Sequence, residues 1–181
     1  VIRPLDLLET TLDAAAIERP FTLTTALETL LDLRPDEPFT RQVMRHLLDS
    51  RRAYGGSASM LWRQKNEEGL VSPKPSVFHT ARAVAVLARA KTMGVIDAGL
   101  VDEVNDALGT AVEWLLAQHN IDTTSENIER PVNDESNEVL YLRHFTSSWV
   151  VRALLLADEP AFQPAIVRAL QQLWSDYSKE H

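Results

Sequence analysis

The chain has 181 residues, with 26 acidic and 18 basic side chains, and a formal net charge of −8. Its 45% hydrophobic and 24% charged residues are typical of a globular domain and argue against a disordered chain. It contains no cysteine, which excludes disulfides, thiolate zinc sites and a cysteine nucleophile.

Apolar residues recur at helical spacing along most of the chain, and no segment alternates with a period of two. This pattern predicts an all-α fold. The helices are expected at 4–18, 22–33, 38–51, 76–92, 98–119, 145–157 and 160–178. Two of them follow the same signal, Asp36-Glu37-Pro38 and Asp158-Glu159-Pro160, in which an acidic residue can cap the helix and proline can occupy its first turn.

The charge is concentrated in two connections between helices. Residues 41–65 contain six basic side chains and one acidic side chain, whereas residues 120–140 contain six acidic and one basic. We interpret the basic segment as a solvated face and expect no nucleic-acid binding, because an acidic chain repels a polyanion. Residues 121–138 are polar and follow neither periodicity, which predicts a loop, and we favour disorder there over a calcium site.

The longest apolar stretch, Trp149–Ala157, is far shorter than the roughly 20 residues of a membrane span.

The helices form an internal repeat of three helical hairpins, at 21–51, 76–119 and 145–178. The first and third hairpins match at a constant offset, with Phe39, Val43, Arg45 and Leu47 corresponding to Phe162, Ile166, Arg168 and Leu170. The first helices of the second and third hairpins are apolar nearly all round, whereas the second helices are amphipathic. This difference predicts an inner and an outer layer of helices, with Trp114 and Trp174 of the outer helices packed in the core.

Three features of the sequence resemble the α/α-toroid superfamily. They are the inner helix that opens with Thr80-Ala81, the outer helix ending AVEWLLAQ, and the linker with Gly55, Gly56 and Trp62. This superfamily includes squalene–hopene-type terpenoid cyclases and protein prenyltransferase β-subunits. The resemblance covers residues 20–178. It implies a partial α/α toroid with three inner and outer helix pairs and an extra N-terminal helix, in one domain spanning residues 1–181. We expect this domain to be a segment of a larger, bacterial-type cytoplasmic protein.

The chain departs from the superfamily at the residues that carry its chemistry. Class II cyclases begin an inner helix with Asp-x-Asp-Asp-Thr-Ala, and Ser76–Ala81 (SVFHTA) occupies the matching place here. Phe78 stands where the family has its protonating aspartate, and it has no proton to donate. The prenyltransferases bind zinc through Asp, Cys and His, and this chain has no cysteine. The resemblance therefore predicts no catalytic residue, metal or cofactor.

A second partial match concerns one of the outer helices. Asn105, Gly109 and Glu113 resemble the Asn/Ser/Glu magnesium motif of class I terpene synthases, with Gly109 in place of Ser or Thr. The aspartate-rich helix that those enzymes also need is absent. We interpret these residues as the solvated face of an outer helix and predict no metal site there.

Polar side chains on the predicted inner helices are candidates for a binding site, because burying them without partners is costly. His79, Arg82 and Arg89 share one face of the second inner helix, and Ser148 and Arg152 follow His144 at spacings of four. Together with two indoles they predict a concave face for a small anionic or isoprenoid ligand. Its residues are Trp62, His79, Arg82, His144, Trp149 and Arg152. The alternative is that they cap helix ends, face solvent or pair with acidic residues of neighbouring hairpins.

Three functions follow from these observations. The first is a non-catalytic domain that binds a ligand or a protein partner, including the rest of a parent chain. The second is a part of a cyclase or prenyltransferase-like enzyme whose catalytic residues lie outside this segment. The third is a structural scaffold that closes its ring as a homodimer.

Overall fold

A computed structural model describes residues 19–54, 57–65, 71–117, 125–131 and 139–180. Within these ranges the chain forms six α-helices, and short 3₁₀ helices at Ala98–Leu100 and Pro160–Phe162 lead into the fourth and the sixth. The helices are α1 (Pro20–Leu33), α2 (Pro38–Asp49), α3 (Val77–Thr92), α4 (Val101–Ala117), α5 (Ser147–Ala157) and α6 (Gln163–Glu180). The predicted helical core is thus confirmed, while the helix expected at 4–18 lies outside the described residues.

The connections contain strands, which the absence of period-two alternation did not predict. Three two-stranded antiparallel hairpins pair β1 (Arg52–Tyr54) with β2 (Ser57–Leu61), β3 (Arg63–Lys65) with β4 (Val71–Pro75), and β5 (Ser125–Pro131) with β6 (Val139–Phe145). The prediction of a loop over 121–138 is therefore wrong for β5, which pairs in register from Ser125 with Phe145 to Pro131 with Val139. Strand pairing is made by backbone hydrogen bonds, which do not by themselves require a hydrophobic period of two.

The helix starts use the predicted prolines but not the predicted acidic caps. Pro38 and Pro160 each occupy the first turn, where a missing N–H leaves no hydrogen bond unmade. Neither Glu37 nor Glu159 accepts a side-chain cap hydrogen bond. At the start of α2 the Thr40 hydroxyl instead donates to the Arg34 carbonyl, at 2.6 Å.

The helices pack in an order that follows the predicted hairpins. The first helix of each hairpin contacts the second, in the pairs α1 with α2, α3 with α4, and α5 with α6. The first helices also contact one another in sequence, because α3 packs against both α1 and α5. Helix α3 is consequently buried at every residue from Val77 to Ala88. The prediction that α5 is also packed on both sides is wrong, since Ser148, Arg152 and Leu155 are exposed where no further helix among the described residues covers them.

Ion pairs join α2 and the residues just after it to α4 and the turn before it. The Arg51 guanidinium donates to Glu103 at 2.9 Å and lies in a nearly buried position. Arg45 binds the second oxygen of the same carboxylate, and Arg41 lies 3.2 Å from Asp97. Three of the six basic side chains of segment 41–65, Arg41, Arg45 and Arg51, are thus paired with carboxylates of α4 and of the turn before it.

Trp174 is the clearest departure from the predicted core. Trp114 is partly buried against the core, but the Trp174 side chain is 72% exposed. When the two 3₁₀ helices are aligned at their last residues, Leu100 corresponds to Phe162. The same alignment pairs Trp174 with Val112 and not with Trp114. Among the described residues, no further helix packs over Trp174.

Two neighbouring leucines of α5 test this packing. Leu154 is fully buried and Leu155 is 54% exposed. We expect Leu154→Ala to lower the free energy of unfolding by about 2–5 kcal/mol, because it leaves a cavity in a packed core. Leu155→Ala, which removes the same atoms from the same helix, is expected to change it by less than about 0.5 kcal/mol. Urea denaturation measures both, and equal losses would contradict this orientation of α5.

Candidate functional site

The predicted concave face is organised around the guanidinium of Arg82, which is 7% exposed. Its Cζ lies 4.3 Å from the ring centroid of Trp149, 4.7 Å from that of Phe21 and 5.6 Å from that of Phe78. These rings belong to α5, α1 and α3, so one side chain contacts all three inner helices. A partly desolvated guanidinium over an aromatic face is attracted by the ring quadrupole, by about 0.5–2 kcal/mol.

Two threonines of α1 hold the same guanidinium by hydrogen bonds. Arg82 donates from Nε to Thr24 Oγ1 at 3.1 Å and from Nη2 to Thr25 Oγ1 at 2.8 Å. Both hydroxyls in turn donate to the carbonyl of Phe21, at 3.0 and 2.9 Å. The hydroxyl protons are therefore committed to the backbone, which leaves the oxygen lone pairs to accept from Arg82.

The other arginines of this face pair with acidic residues of α1. Arg152 on α5 hydrogen-bonds to Glu28, and its Cζ lies 5.1 Å from the Trp149 ring centroid. Arg89 on α3 hydrogen-bonds to Asp32. This is the predicted alternative, in which the charged residues pair with carboxylates of a neighbouring hairpin. An anionic ligand would have to compete with both carboxylates for these two guanidiniums.

Two pKa values on this face are shifted. The hydrogen bond from Arg89 lowers the pKa of Asp32 from its ordinary value of 3.8, with smaller effects from burial and nearby positive charge. Burial lowers the pKa of Arg82 from its ordinary value, and the negative charge of Glu28 opposes that effect. An arginine pKa starts so high that Arg82 keeps its charge at every physiological pH.

The remaining predicted residues lie apart from this cluster or touch its edge. Trp62 is fully buried in the core, where its indole N–H donates to the Leu47 carbonyl at 2.9 Å. His79 is buried at the start of α3, with its ring 5.3 Å from that of Phe78. His144 lies on β6 opposite Glu126, and its side chain falls outside the described part of the structure. The structure thus brings together Arg82, Trp149 and Arg152 of the six predicted residues.

Sequence reasoning missed the contribution of α1 to this face. Phe21, Thr25 and Glu28 supply a ring, a hydroxyl and a carboxylate, and they recur at the i, i+4, i+7 spacing that places residues on one side of a helix. This spacing is visible in the sequence and indicates that the three residues share a face. It does not show which residues of α3 or α5, more than fifty positions along the chain, lie opposite that face.

A cavity of about 770 Å³ lies on a different part of the molecule, at the C-terminal ends of α3 and α5. Its wall is completed by one side of α4 and by the turn that leads into α6. The apolar part of the wall consists of Ala88, Leu108, Val112, Leu116, Leu156, Ala157 and Phe162. Ligand sites in proteins are usually concave and mostly apolar and have volumes of roughly 300–1,000 Å³.

Acidic side chains make up half of the polar residues in the cavity wall. Glu113, Asp158 and Glu159 contribute three carboxylates, and Lys91 contributes one ammonium group. Asn105 and Gly109 lie in the same wall, so the residues of the partial magnesium motif share this cavity. Across residues 19–54, 57–65, 71–117, 125–131 and 139–180, no three acidic or histidine side chains are grouped as ligands of a metal ion.

Replacing Arg82 with lysine tests the central cluster. Lysine keeps the charge but loses the planar fork that binds two hydroxyls while stacking on the rings. We expect Arg82→Lys to lower the free energy of unfolding by about 1–3 kcal/mol, as for a buried polar group left without its partner. The matched change Arg152→Lys affects an exposed ion pair and is expected to cost less than about 1 kcal/mol. Similar effects of the two substitutions in urea denaturation would contradict the assigned role of Arg82.

The Asp32 carboxyl gives a pH-dependent test of the α1–α3 ion pair. Because its pKa is lowered by Arg89, the pair stabilises the fold above the unfolded-state pKa, and this contribution is lost as the pH falls through the folded-state pKa. Carboxyl NMR should therefore show Asp32 titrating below 3.8 in the native protein. In Arg89→Gln we expect the pKa to move up toward that value. An unchanged Asp32 titration in the variant would show that Arg89 does not bind it in solution.

None of the described helices is long and apolar enough to span a bilayer. Comparison of the chain with protein families, with curated proteins and with solved structures finds no significant match.

Proposed function

We propose that this chain is a non-catalytic binding domain whose ligand is an amphiphilic small molecule with an apolar body and a cationic head group. The observation that carries the proposal is the cavity of about 770 Å³ between α3, α4, α5 and the turn before α6. It combines enough volume for such a molecule with an apolar wall and a charged edge.

The apolar wall supplies the driving force for binding. Leu108, Val112 and Leu116 of α4 lie on one side of that helix, and Leu156 and Phe162 face the same space from the third hairpin. A bound hydrocarbon removes its own surface and that of the wall from water, which is favourable by about 25 cal/mol per Å². The aliphatic and aromatic side chains of this part of the wall favour an alkyl or similar chain as the body of the ligand.

The acidic edge supplies the preference for a cation. With three carboxylates and one ammonium group, the charged side chains of the wall sum to −2. Because opposite charges attract and like charges repel across such a site, an ammonium head group is favoured over a sulfate of the same chain length. This differs from the anionic ligand that the arginines of the concave face suggested.

The charged residues of the concave face already have partners, which also supports a binding site in the cavity. Arg152 and Arg89 are already paired with carboxylates, and Arg82 is enclosed by rings and hydroxyls. Phe78, at the position of the superfamily's protonating acid, packs between Phe21 and Trp149 as part of the same cluster. These contacts favour a structural role for the face, and no acid placed for cyclase chemistry is found among the residues of this motif.

We further propose a partial α/α toroid as the architecture. The pairwise packing of α1, α3 and α5, each with its own outer helix, supports this arrangement. Core-facing positions in α4 and α6 also recur at one offset, since Val104, Ala107 and Ala111 correspond to Ile166, Ala169 and the partly buried Leu173. Such recurrence is typical of stacked hairpins that share a core.

The cavity can be tested through Gly109, whose missing side chain would project into open space. Gly109→Phe should fill part of the cavity, whereas Gly109→Ala adds one methyl group and raises the helix propensity by about 1 kcal/mol. Binding of dodecyltrimethylammonium and dodecyl sulfate, each below its micelle concentration, can be measured by calorimetry. We expect the ammonium compound to bind more tightly to the native protein, and Gly109→Phe to weaken it at least about tenfold, or 1.4 kcal/mol.

Two controls make the result specific. Gly109→Ala should bind within about twofold of the native protein, a difference well below 1 kcal/mol. Glu113→Gln with Glu159→Gln should reduce the preference for the ammonium over the sulfate and leave the thermal unfolding of the protein largely unchanged. Equal binding by Gly109→Phe and the native protein, or no binding of either compound, would contradict the proposed function.

A further inference from the structure

Helix α6 carries an exposed row of large apolar side chains. Val167, Leu170, Trp174 and Tyr177 are 47%, 48%, 72% and 59% exposed. The rings of Trp174 and Tyr177 lie next to each other, with centroids 6.0 Å apart, so the row is continuous at its wider end. We name these four residues the α6 seam. A contiguous exposed apolar patch on a folded domain usually marks an interaction surface.

The spacing of the seam is that of a helix that packs against another helix. The four residues follow one another at intervals of three, four and three, which are the a and d positions of two successive heptads. A second apolar face of the same helix is already used, because Ala165, Ile166 and Ala169 are buried in the core. Helix α6 is therefore apolar on two adjacent faces, and only one of them is covered by the helices of its own domain.

The seam is also symmetric about its midpoint. In an antiparallel pair of α6 helices, Val167 would lie opposite Tyr177 of the second copy, and Leu170 opposite Trp174 of the second copy. Each contact then joins a smaller aliphatic side chain to a larger aromatic one, and the same surface serves both molecules, as a two-fold interface requires. A partner of different sequence would need no such symmetry. We infer that the α6 seam is the interface of a homodimer in which two α6 helices pack antiparallel.

The charges around the seam are compatible with a second copy. Between Val167 and Tyr177 the two charged residues are Arg168 and Asp176, and their positions on the helix are about a quarter of a turn or more from the seam. The side chains along its exposed edge, Gln163, Gln171 and Ser178, are uncharged. Gln171 lies next to the two-fold axis of the antiparallel pair and so close to its own counterpart, where two charges would repel each other but two glutamines do not.

The area is that of a modest interface. An aromatic side chain can bury roughly 150–250 Å², and the dimer would cover four of them together with four aliphatic side chains. This is a substantial part of the roughly 1,200 Å² at the lower end of stable interfaces. We therefore expect a dimer whose population depends on protein concentration, formed independently of any ligand in the cavity.

Sedimentation equilibrium of the full chain over a range of concentrations tests the proposal. We expect the mass to rise from 20.3 kDa toward twice that value. Leu170→Glu should weaken the dimer at least about tenfold, since it places two like charges in the seam. Arg168→Glu changes the charge of the same exposed helix about a quarter of a turn or more from the seam and should weaken it much less. A native protein that stays monomeric at every concentration would overturn the inference.

The absence of cysteine permits a second test of orientation. Val167→Cys and Tyr177→Cys are prepared separately and oxidised alone or mixed. An antiparallel seam predicts disulfide-linked dimers chiefly in the mixture, whereas a parallel seam predicts them in each variant alone, and that result would overturn the arrangement. Quenching of Trp174 fluorescence, with Trp174→Phe as the reference, identifies a third case. A monomer in which Trp174 is protected would show that another part of the same chain covers the seam, and would also overturn the dimer.

Discussion

The contact on which the rest of the structure depends is that of Arg82 with the three inner helices. Its guanidinium stacks on rings of α1, α3 and α5 and donates to two threonines of α1. Helix α3 is buried nearly all round, so a charged side chain on it must have its partners close by. The hydrogen bonds and ring contacts of Arg82 set how α1 and α5 lie against α3. The positions of α2 and α6 then follow, because each is joined to α1 or α5 in a hairpin.

The same contact determines which part of the molecule is available for binding. Arginines that would otherwise attract an anion are used to join the inner helices, since Arg152 reaches Glu28 and Arg89 reaches Asp32. The cavity with an acidic edge lies beside α4 and is lined by Ala88, Lys91 and Thr92 of α3, whereas Arg89 of the same turn reaches Asp32 of α1. Stability and binding therefore use different residues of these helices.

The last hairpin differs from the second because of what covers it. Helix α4 has α2 on one side and the third hairpin on the other, whereas α6 has no equivalent neighbour among the described helices. Helix α6 keeps an exposed apolar seam that no other described helix covers, and a second copy is the partner we propose for it.

The sequence by itself determined the helices and their grouping into hairpins, because helical periodicity is a local property. Only the tertiary structure decided that Arg152 pairs with Glu28, 124 residues away, and that Trp174 faces outward while Trp62 is fully buried. The strand pairs and the cavity also required it. Burial and pairing depend on which neighbour covers a side chain, and periodicity shows which face of a helix is apolar but not what lies opposite.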